Sequence, residues 1–370
     1  MAVTVGEGRV AVVVEAIVLV GGRGTRLRPL TVTTPKPMLP VAGVPFVVHQ
    51  LARLRDAGVG HVVLATSYRA EVFEGFLGDG SRLGLELDYV TEEVPLGTGG
   101  AMRNVTHLLR GGPDAPVVVM NGDVLSGHDV GAQLGLHAAA GADVTLYLTR
   151  VDDARAFGCV PTDAAGRVTA FLEKMPEPVS DQINAGCYVF RRAVLDAIPA
   201  GRVVSVERET FPGLLADGAV VLGHVDPAYW LDLGTPAALV VGSRDLVLGR
   251  VRSSAVPGPP GERLVLPGAQ VAHDATVGGG STVGDGAVVE AGAVVEGSVL
   301  QQDVVVRRGA LVRDCVVGQG AEVGEGCVLS GVAVGDGARI GAGCELPPGA
   351  RVWVDAVLGP HAVRMSSDQS

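Results

Sequence analysis

Apolar and polar residues alternate along the first half of the chain in blocks that predict strands and helices in turn. Short blocks of β-branched residues are separated by longer blocks with helical spacing, as at Val47, Val48, Leu51 and Leu54. The predicted strands cover residues 17–20, 61–66, 85–91, 117–120 and 144–148, and the predicted helices cover residues 46–57, 70–77, 99–109 and 129–140. This alternation predicts an α/β fold with a mostly parallel sheet, in which ligands bind beyond the carboxyl ends of the strands.

The second half of the chain has a different period, with an apolar residue at every sixth position. Glycine often follows these residues, as in VGGGSTVGDGAV. A six-residue period with glycine at the corners is typical of a parallel β-helix, here of about five three-sided coils. The residues expected to point inward are Val265, Val271, Val277, Val283, Val289 and Val295, then Val305, Leu311, Val317, Val323 and Leu329, then Val334, Ile340, Leu346 and Val352.

The two rhythms predict two domains in this chain of 370 residues. We expect the α/β domain over residues 1–250, with an N-terminal extension over 1–15, and the β-helix over 263–355, followed by a tail over 356–370. Residues 251–262 are rich in Pro and Ser and have the composition of a linker.

Composition excludes several classes of partner. The net charge of −11 argues against nucleic acid or an anionic membrane surface as the main partner. The apolar run over residues 10–20 contains Glu15 and is too short to span a bilayer. The five cysteines show no CxxC spacing, which favours reduced thiols in the cytoplasm.

The stretch IVLVGGRGTRLRPLTVTTPKPMLP over residues 17–40 carries the strongest chemical signal. A predicted strand runs into a glycine loop whose backbone N–H groups can converge on an anion, and Arg26 and Lys36 can neutralise a polyphosphate. Lys36 and Lys174 are the only lysines among 29 basic residues, and both lie in motif-like stretches. The loop matches neither the P-loop nor the dinucleotide-binding pattern, so we interpret it as another kind of phosphate site.

Two aspartates suggest a metal beside that phosphate site. Asp123 closes a predicted buried strand, and Asp232 lies in YWLDLGTP. Mg²⁺ takes few protein ligands and keeps several waters, so two carboxylates next to a polyphosphate would suffice to hold it. Together with the basic loop, they predict metal-assisted attack on phosphorus. Glu173, Lys174 and Asn184 offer what a sugar phosphate needs, with the first two in one half of a hairpin that turns at residues 164–166.

The motifs GGRGTRLRPL, PKPMLPVAGVPF, VPLGTGG, NGD, FLEK, INAGCYVF and YWLDLGTP, followed by hexapeptide repeats, resemble those of the bacterial sugar-1-phosphate nucleotidyltransferases. The resemblance covers residues 16 to about 355 and is closest to the mannose-1-phosphate guanylyltransferase branch. It implies a Rossmann-like domain followed by a left-handed β-helix. It also implies Mg²⁺-dependent attack by mannose-1-phosphate on the α-phosphorus of GTP, giving GDP-mannose and pyrophosphate.

The resemblance also implies roles for individual residues. Arg26 and Lys36 would hold the triphosphate and stabilise its charge, and Asp123 and Asp232 would hold Mg²⁺. The remaining expected contacts are with the nucleotide, by Gly21, Gly22, Gly24, Thr25, Glu93 and Gly97, and with the sugar phosphate, by Gly158, Glu173, Lys174 and Asn184. Met175 departs from the pattern, because the family often has Pro after the lysine, which puts the shape of the sugar loop in question.

Three alternatives stay open at this point. The same reaction with another base and with glucose-1-phosphate is the strongest competitor. Acyl transfer by the β-helix would need a base in the coils, where only His273 and His361 are available. A non-catalytic regulatory homologue that binds sugar nucleotide should have lost its charged site residues, which are all present here. We expect the β-helix to serve assembly into a homo-oligomer, because solenoids have flat sides and open ends.

Overall fold

The computed structural model describes residues 14–67 and 69–364. The predicted extension therefore lies outside the described residues except for Val14 and Glu15, as does the predicted tail from residue 365 onward. The chain divides into two compact units, one formed by residues 1–22 and 50–230 and the other by residues 23–49 and 231–370.

The described strands of the first 250 residues follow the predicted order with additional short strands. They are β1 (Val14–Leu19), β2 (Pro40–Val41), β3 (Val44–Pro45), β4 (Val59–Thr66), β5 (Glu86–Thr91), β6 (Pro116–Asn121), β7 (Val124–Ser126), β8 (Val144–Arg150), β9 (Gly158–Cys159), β10 (Leu172–Glu173), β11 (Gln182–Arg191), β12 (Val221–Val225) and β13 (Trp230–Asp232). The helices are α1 (Phe46–Asp56), α2 (Ala70–Leu77), α3 (Gly97–Val105), α4 (Val130–Ala140), α5 (Arg192–Ala197), α6 (Phe211–Ala216) and α7 (Pro236–Val247).

The first unit is built on one mixed sheet with a parallel centre. Its main path runs β10-β9-β11-β6-β1-β4-β5, while β8 pairs with β11 and β12 pairs with β8. Strands β6, β1, β4 and β5 are parallel neighbours, and β11 runs antiparallel to β6. The predicted mostly parallel sheet is confirmed, and the hairpin predicted around residues 164–166 is present as the antiparallel bridge between Thr162 and Val168.

Strand β1 begins three residues before its predicted start because the charge of Glu15 is satisfied inside the sheet. Glu15 is only 3% exposed, is hydrogen-bonded to His61, and accepts bonds from the backbone N–H groups of Arg110 and Gly111. Burial opposes ionisation, but these hydrogen bonds outweigh it and lower the pKa of Glu15. A charged residue in a predicted apolar run is therefore part of the core strand.

The second half forms three parallel sheets of six, six and five strands, as a three-sided β-helix requires. The strands are β14 (Arg263–Val265), β15 (Gln270–Val271), β16 (Thr276–Gly278), β17 (Ser281–Val283), β18 (Val288–Val289), β19 (Val294–Glu296), β20 (Val299–Leu300), β21 (Val305–Val306), β22 (Leu311–Arg313), β23 (Val316–Val317), β24 (Glu322–Val323), β25 (Val328–Ser330), β26 (Ala333–Val334), β27 (Arg339–Ile340), β28 (Glu345–Leu346), β29 (Arg351–Val352) and β30 (Val357–Leu358).

The β-helix differs from the prediction in one stretch and at its first strand, where Val265 pairs with the buried Val283 but is itself 39% exposed. Val306 and Val312 are fully buried in the core, whereas the predicted Val305 and Leu311 are only partly buried. Val283 pairs with Leu300, and Leu300 with Val317, so these coils advance by 17 residues. One side of such a coil is one residue shorter than a hexapeptide, and a strict six-residue count therefore places two residues on the wrong face.

The five cysteines are free, as predicted from their spacing, and all five are buried. Within residues 14–67 and 69–364, no helix has the length and apolar character needed to cross a bilayer.

Candidate active site

Three of the predicted site segments lie at one edge of the sheet in the first unit. Gly21 and Gly22 follow β1, and Glu92 to Gly97 follow β5. Asp123 comes two positions after the last residue of β6. Strands β1, β4, β5 and β6 are parallel, so their carboxyl ends meet at the same edge. This edge is where ligands bind in open sheets of this kind.

Gly122 holds the turn that presents Asp123. Its N–H donates to the carbonyl oxygen of Leu19 at 2.8 Å. A Cβ at position 122 would lie only 2.4 Å from that same oxygen. Glycine is therefore required for the turn after β6 to approach the end of β1, and Asp123 is placed beside the glycine loop by backbone contact.

The loop before α3, expected to contact the base, is fixed to the segment around residue 204. Gly97 has a φ of +73°, and a Cβ there would lie 2.6 Å from the carbonyl oxygen of Val204. The N–H of Gly99 donates to the same oxygen at 2.9 Å. Close contact with the Val204 backbone therefore fixes the start of α3. It explains why glycine occupies positions 97 and 99 of VPLGTGG.

A carboxylate from a distant part of the chain completes this attachment. The hydroxyl of Thr98 donates to Glu207 Oε2 at 2.8 Å and accepts the N–H of Val206 at 3.0 Å. The hydroxyl of Ser205 donates to the same oxygen of Glu207 at 2.8 Å. Glu207 is not among the predicted site residues, because its charge in VERET resembles that of any solvent-facing helix and its partner Thr98 lies 109 positions away.

The two glutamates of this loop have different surroundings. Glu92 is partly buried and accepts the N–H of Leu96 at 3.4 Å, and burial raises the pKa of Glu92. Glu93 is exposed. Glu92 therefore contributes to the loop itself, whereas Glu93 presents its carboxylate to solvent, where a ligand can reach it.

Gly158 and Glu173 face each other on the antiparallel pair β9 and β10. A Cβ at position 158 would lie 2.5 Å from Glu173 Oε1, so Gly158 leaves this carboxylate room in its present position. Burial, and then the nearby charge of Glu207, raise the pKa of Glu173. Lys174 follows with a φ of +50°, and its N–H donates to the carbonyl oxygen of Phe157.

Asn184 is oriented by its own strand. Its side-chain amide donates to the hydroxyl of Tyr188 at 2.8 Å and accepts the N–H of Gly186 at 3.1 Å. Gly186 has a φ of +78°, and a Cβ there would lie 3.0 Å from the amide nitrogen of Asn121. The strand β11 thus brings Asn184 to the end of β6, close to the turn that carries Asp123.

The second unit contains a separate cluster of the predicted charges around Asp232. Lys36 Nζ lies 3.7 Å from Asp232 Oδ1, and Arg26 Nη2 lies 3.7 Å from Asp232 Oδ2. The side chain of Lys36 is 11% exposed, whereas that of Arg26 is 67% exposed. The structure therefore brings together three of the four predicted catalytic residues, while Asp123 belongs to the first unit.

Asp232 Oδ1 interacts with its neighbours in this cluster by charge alone. It is shielded from solvent and lies 3.7 Å from Lys36 Nζ, but it accepts no hydrogen bond from any described residue. A Cβ at position 234 would lie 2.6 Å from Arg26 Nη2 and 3.0 Å from Asp232 Oδ1, so Gly234 leaves space beside both charges. A shielded carboxylate oxygen that accepts no hydrogen bond is expected to gain a polar partner in the working protein.

The segment that carries Arg26 and Lys36 is a series of short 3₁₀ turns. These turns are Thr25–Leu27, Leu30–Val32 and Lys36–Met38. Gly24 precedes the first turn with a φ of +55°, and its carbonyl oxygen accepts the hydroxyl of Thr31 at 2.8 Å. A Cβ at position 24 would lie 3.0 Å from the Cβ of Lys36, so this glycine lets the two ends of the segment approach.

Metal-ligating side chains do not form large clusters in the part of the chain that the structure describes. Among the described residues, no group of three or more His, Cys, Asp or Glu side chains is arranged to hold a metal ion. A site that uses one or two carboxylates with several waters is still compatible with this finding, since Mg²⁺ prefers such sites.

Two family models match the chain. The model described as Nucleotidyl transferase matches residues 15–247, and the model described as GMPPB C-terminal domain matches residues 260–361. The two matches therefore account for both halves distinguished by their sequence rhythm.

Individual relatives carry related names. The chain is 56% identical over 356 residues to the mannose-1-phosphate guanylyltransferase of Mycobacterium tuberculosis, which covers 96% of this chain and 98% of the relative. It is 37% identical over 243 residues to the probable mannose-1-phosphate guanylyltransferase 1 of Oryza sativa subsp. japonica. That match covers 65% of this chain and 66% of the relative. Among solved structures, HddC from Yersinia pseudotuberculosis complexed with GMP-PN is similar with a TM-score of 0.54 and 26% identity, covering 63% of this chain and 99% of that one.

Proposed function

Because the chain belongs to the nucleotidyl transferase family, we propose that it transfers a guanylyl group from GTP to mannose-1-phosphate. A phosphate oxygen of mannose-1-phosphate forms a new bond to the α-phosphorus of GTP. The bond from the α-phosphorus to the bridging oxygen breaks, which gives GDP-mannose and pyrophosphate. The 56% identity to a protein named mannose-1-phosphate guanylyltransferase, over nearly the whole chain, supports this choice of substrates.

The observation that carries the proposal is the charge cluster around Asp232. Both substrates are anions that repel each other, so the enzyme must neutralise charge and align the reacting atoms. Arg26 and Lys36 lie within 3.7 Å of one carboxylate and supply two positive charges for the triphosphate. The attacking phosphate is already ionised at neutral pH, so the reaction requires no general base.

We assign Asp123 and Asp232 as the residues that would hold Mg²⁺. Oδ1 of Asp232 fits this role, because it is shielded from solvent and accepts no hydrogen bond, and its interaction with Lys36 at 3.7 Å is one of charge alone. Carboxylates are suitable ligands for Mg²⁺, which keeps most of its waters. When bound, the ion would draw negative charge from the phosphate oxygens.

The remaining predicted contacts divide between the two substrates. Gly21, Gly22, Gly24 and Thr25 would offer backbone and hydroxyl groups to the triphosphate, and Gly97 with Glu93 would face the base. Gly158, Glu173, Lys174 and Asn184 would bind the sugar phosphate. The partial burial of Glu173 and the two hydrogen bonds that orient Asn184 support this assignment, because a binding site needs fixed polar groups.

The proposal is tested by identifying the products of the purified protein. Incubation with GTP, mannose-1-phosphate and Mg²⁺ should give GDP-mannose and pyrophosphate in equal amounts by ³¹P NMR. Omission of the metal or of either substrate should abolish both signals. Binding of GDP-mannose without turnover would instead favour the non-catalytic regulatory homologue.

A further inference from the structure

The segment that carries Arg26 and Lys36 belongs to the same compact unit as the β-helix. Residues 23–49 group with residues 231–370, although the sequence assigns them to the α/β domain. The predicted role of the β-helix is assembly alone. The contacts within this unit indicate an additional role.

The first contact joins Thr33 to a corner of the β-helix. The hydroxyl of Thr33 donates to Asp336 Oδ2. Asp336 lies between β26 and β27, and its Oδ1 accepts the N–H of Gln319 from the preceding coil at 3.0 Å. The carboxylate is therefore fixed by the β-helix before it meets Thr33, so it can act as a rigid support.

The second contact reaches the other end of the same segment. Arg351 on β29 donates from Nη1 to the carbonyl oxygen of Arg28 at 2.6 Å. Arg28 follows Arg26 by two positions, and Thr33 precedes Lys36 by three. The two contacts from the β-helix therefore lie between the two basic residues along the chain and limit the movement of each.

We propose that Asp336 and Arg351 are positioning residues that set the geometry of Arg26 and Lys36 around Asp232. This inference rests on the proposed function of those two cations. The segment consists of short 3₁₀ turns, whose hydrogen bonds are few and of poor geometry, so it needs external support. Groups that stabilise transition-state charge act only when they are held in place beforehand.

The test uses the full-length chain and pyrophosphate release. Thr33→Val removes the hydroxyl with little change in shape, and Asp336→Ala removes its acceptor. Each should lower kcat about tenfold, since small displacements of positioned groups have effects of this order. The double variant should be no slower than the slower single variant, because both changes break the same contact. Thr33→Ser, which keeps the hydroxyl, should restore kcat.

Matched controls separate positioning from general damage to the β-helix. Asp285 lies in the corner sequence VGDG, as Asp336 does, and its carboxylate lies over Gly268 as that of Asp336 lies over Gly318. Asp285→Ala should lower Tm as much as Asp336→Ala does while leaving kcat unchanged. Arg351→Met should lower kcat by the same factor in the unmodified chain and in Thr33→Val. Arg351→Lys should lower kcat less than Arg351→Met does.

Three results would overturn the inference. The first is unchanged kcat in Thr33→Val, Asp336→Ala and Arg351→Met. The second is a loss of kcat in Asp285→Ala equal to that in Asp336→Ala. The third is a loss of kcat in the double variant Thr33→Val/Asp336→Ala that equals the product of the two single losses. Failure of the proposed function is recognised separately, because the unmodified chain would then release no pyrophosphate from GTP and mannose-1-phosphate.

Discussion

At the scale of single residues, Asp232 is the centre of the charge cluster in the second unit. One of its oxygens faces Lys36 and the other faces Arg26, each at 3.7 Å. These distances are longer than hydrogen bonds, so the pairs interact through charge and leave the groups able to engage a ligand. The neighbouring Gly234 preserves the space that a ligand would need.

The first prediction concerns Lys36 and Asp123. Replacing either residue with Ala should lower kcat/KM by about 10²–10³, or ~2.7–4 kcal/mol, because one preorganised electrostatic group is lost. Steady-state pyrophosphate release measures this. Arg82→Ala removes an exposed cation from the 3₁₀ turn Ser81–Leu83 and serves as the control. Normal kcat/KM in Lys36→Ala or Asp123→Ala, with the fold intact, would contradict the assigned role.

The second prediction concerns recognition of the base by Glu93. Guanine presents N–H donors at N1 and N2, whereas uracil and thymine lack that pair. Glu93→Gln should lower the ratio of kcat/KM for GTP to that for UTP or dTTP. Each polar group that the bound base buries without a hydrogen-bond partner costs roughly 1–3 kcal/mol. Ratios of kcat/KM for the three nucleotides measure this effect.

Glu92→Gln is the matched control for Glu93→Gln. Its side chain keeps an oxygen that can accept the N–H of Leu96, so the loop should hold its shape. Base preference should then stay as in the unmodified chain. If Glu92→Gln narrows the preference and Glu93→Gln does not, the two glutamates have been assigned the wrong way round.

At the scale of elements, sequence periodicity was sufficient to predict most strands but not every register. Alternation of apolar blocks predicted β1, β4, β5, β6 and β8, because buried parallel strands are continuous apolar runs. The 17-residue coil could not be predicted at Val305 and Val306, where both positions are valine and either could face inward.

The sequence could predict which charged residues meet around Asp232 better than it could predict the contacts that hold the predicted site. Arg26, Lys36 and Asp232 lie in motifs whose composition already indicates phosphate chemistry. The space kept by Gly122 depends on the approach of the Leu19 backbone, and the space kept by Gly158 depends on the Glu173 side chain of the paired strand, so neither leaves a local signal. The same holds for Glu207, whose partner is far away in sequence.

The third prediction tests the corrected register of the β-helix. Val306→Ala should lower the free energy of unfolding by about 2 kcal/mol, because Val306 is fully buried and its loss leaves a cavity. Val305→Ala is the matched control and should have a smaller effect, since Val305 faces away from the core. Chemical denaturation of both variants measures the difference. If Val305→Ala lowers the free energy of unfolding more than Val306→Ala does, the original prediction that Val305 faces the core is correct.

At the scale of the whole molecule, we propose that the β-helix supports assembly as well as the catalytic segment. Val328, Trp353 and Val357 are large apolar side chains exposed on it, by 41%, 49% and 72%. Exposed apolar residues of this kind favour contact with another protein surface. A homo-oligomer would cover them with a second copy of the same chain.

The fourth prediction concerns truncation after about residue 250. The shortened chain should form a smaller assembly in light scattering, because the proposed oligomer contacts are lost. Some turnover should remain, but less than in the full-length chain, since Thr33 and Arg28 lose their partners Asp336 and Arg351. A truncated chain with the full-length assembly size would contradict the proposed role in assembly.

The central claim is most directly tested by a matrix of nucleoside triphosphates against sugar-1-phosphates, scored by pyrophosphate release. GTP, UTP, dTTP and ATP are each combined with mannose-1-phosphate and with glucose-1-phosphate in the presence of Mg²⁺. The account predicts the highest kcat/KM for GTP with mannose-1-phosphate. Faster turnover of UTP or dTTP with glucose-1-phosphate would contradict the assigned substrates, and no release with any pair would contradict the reaction itself.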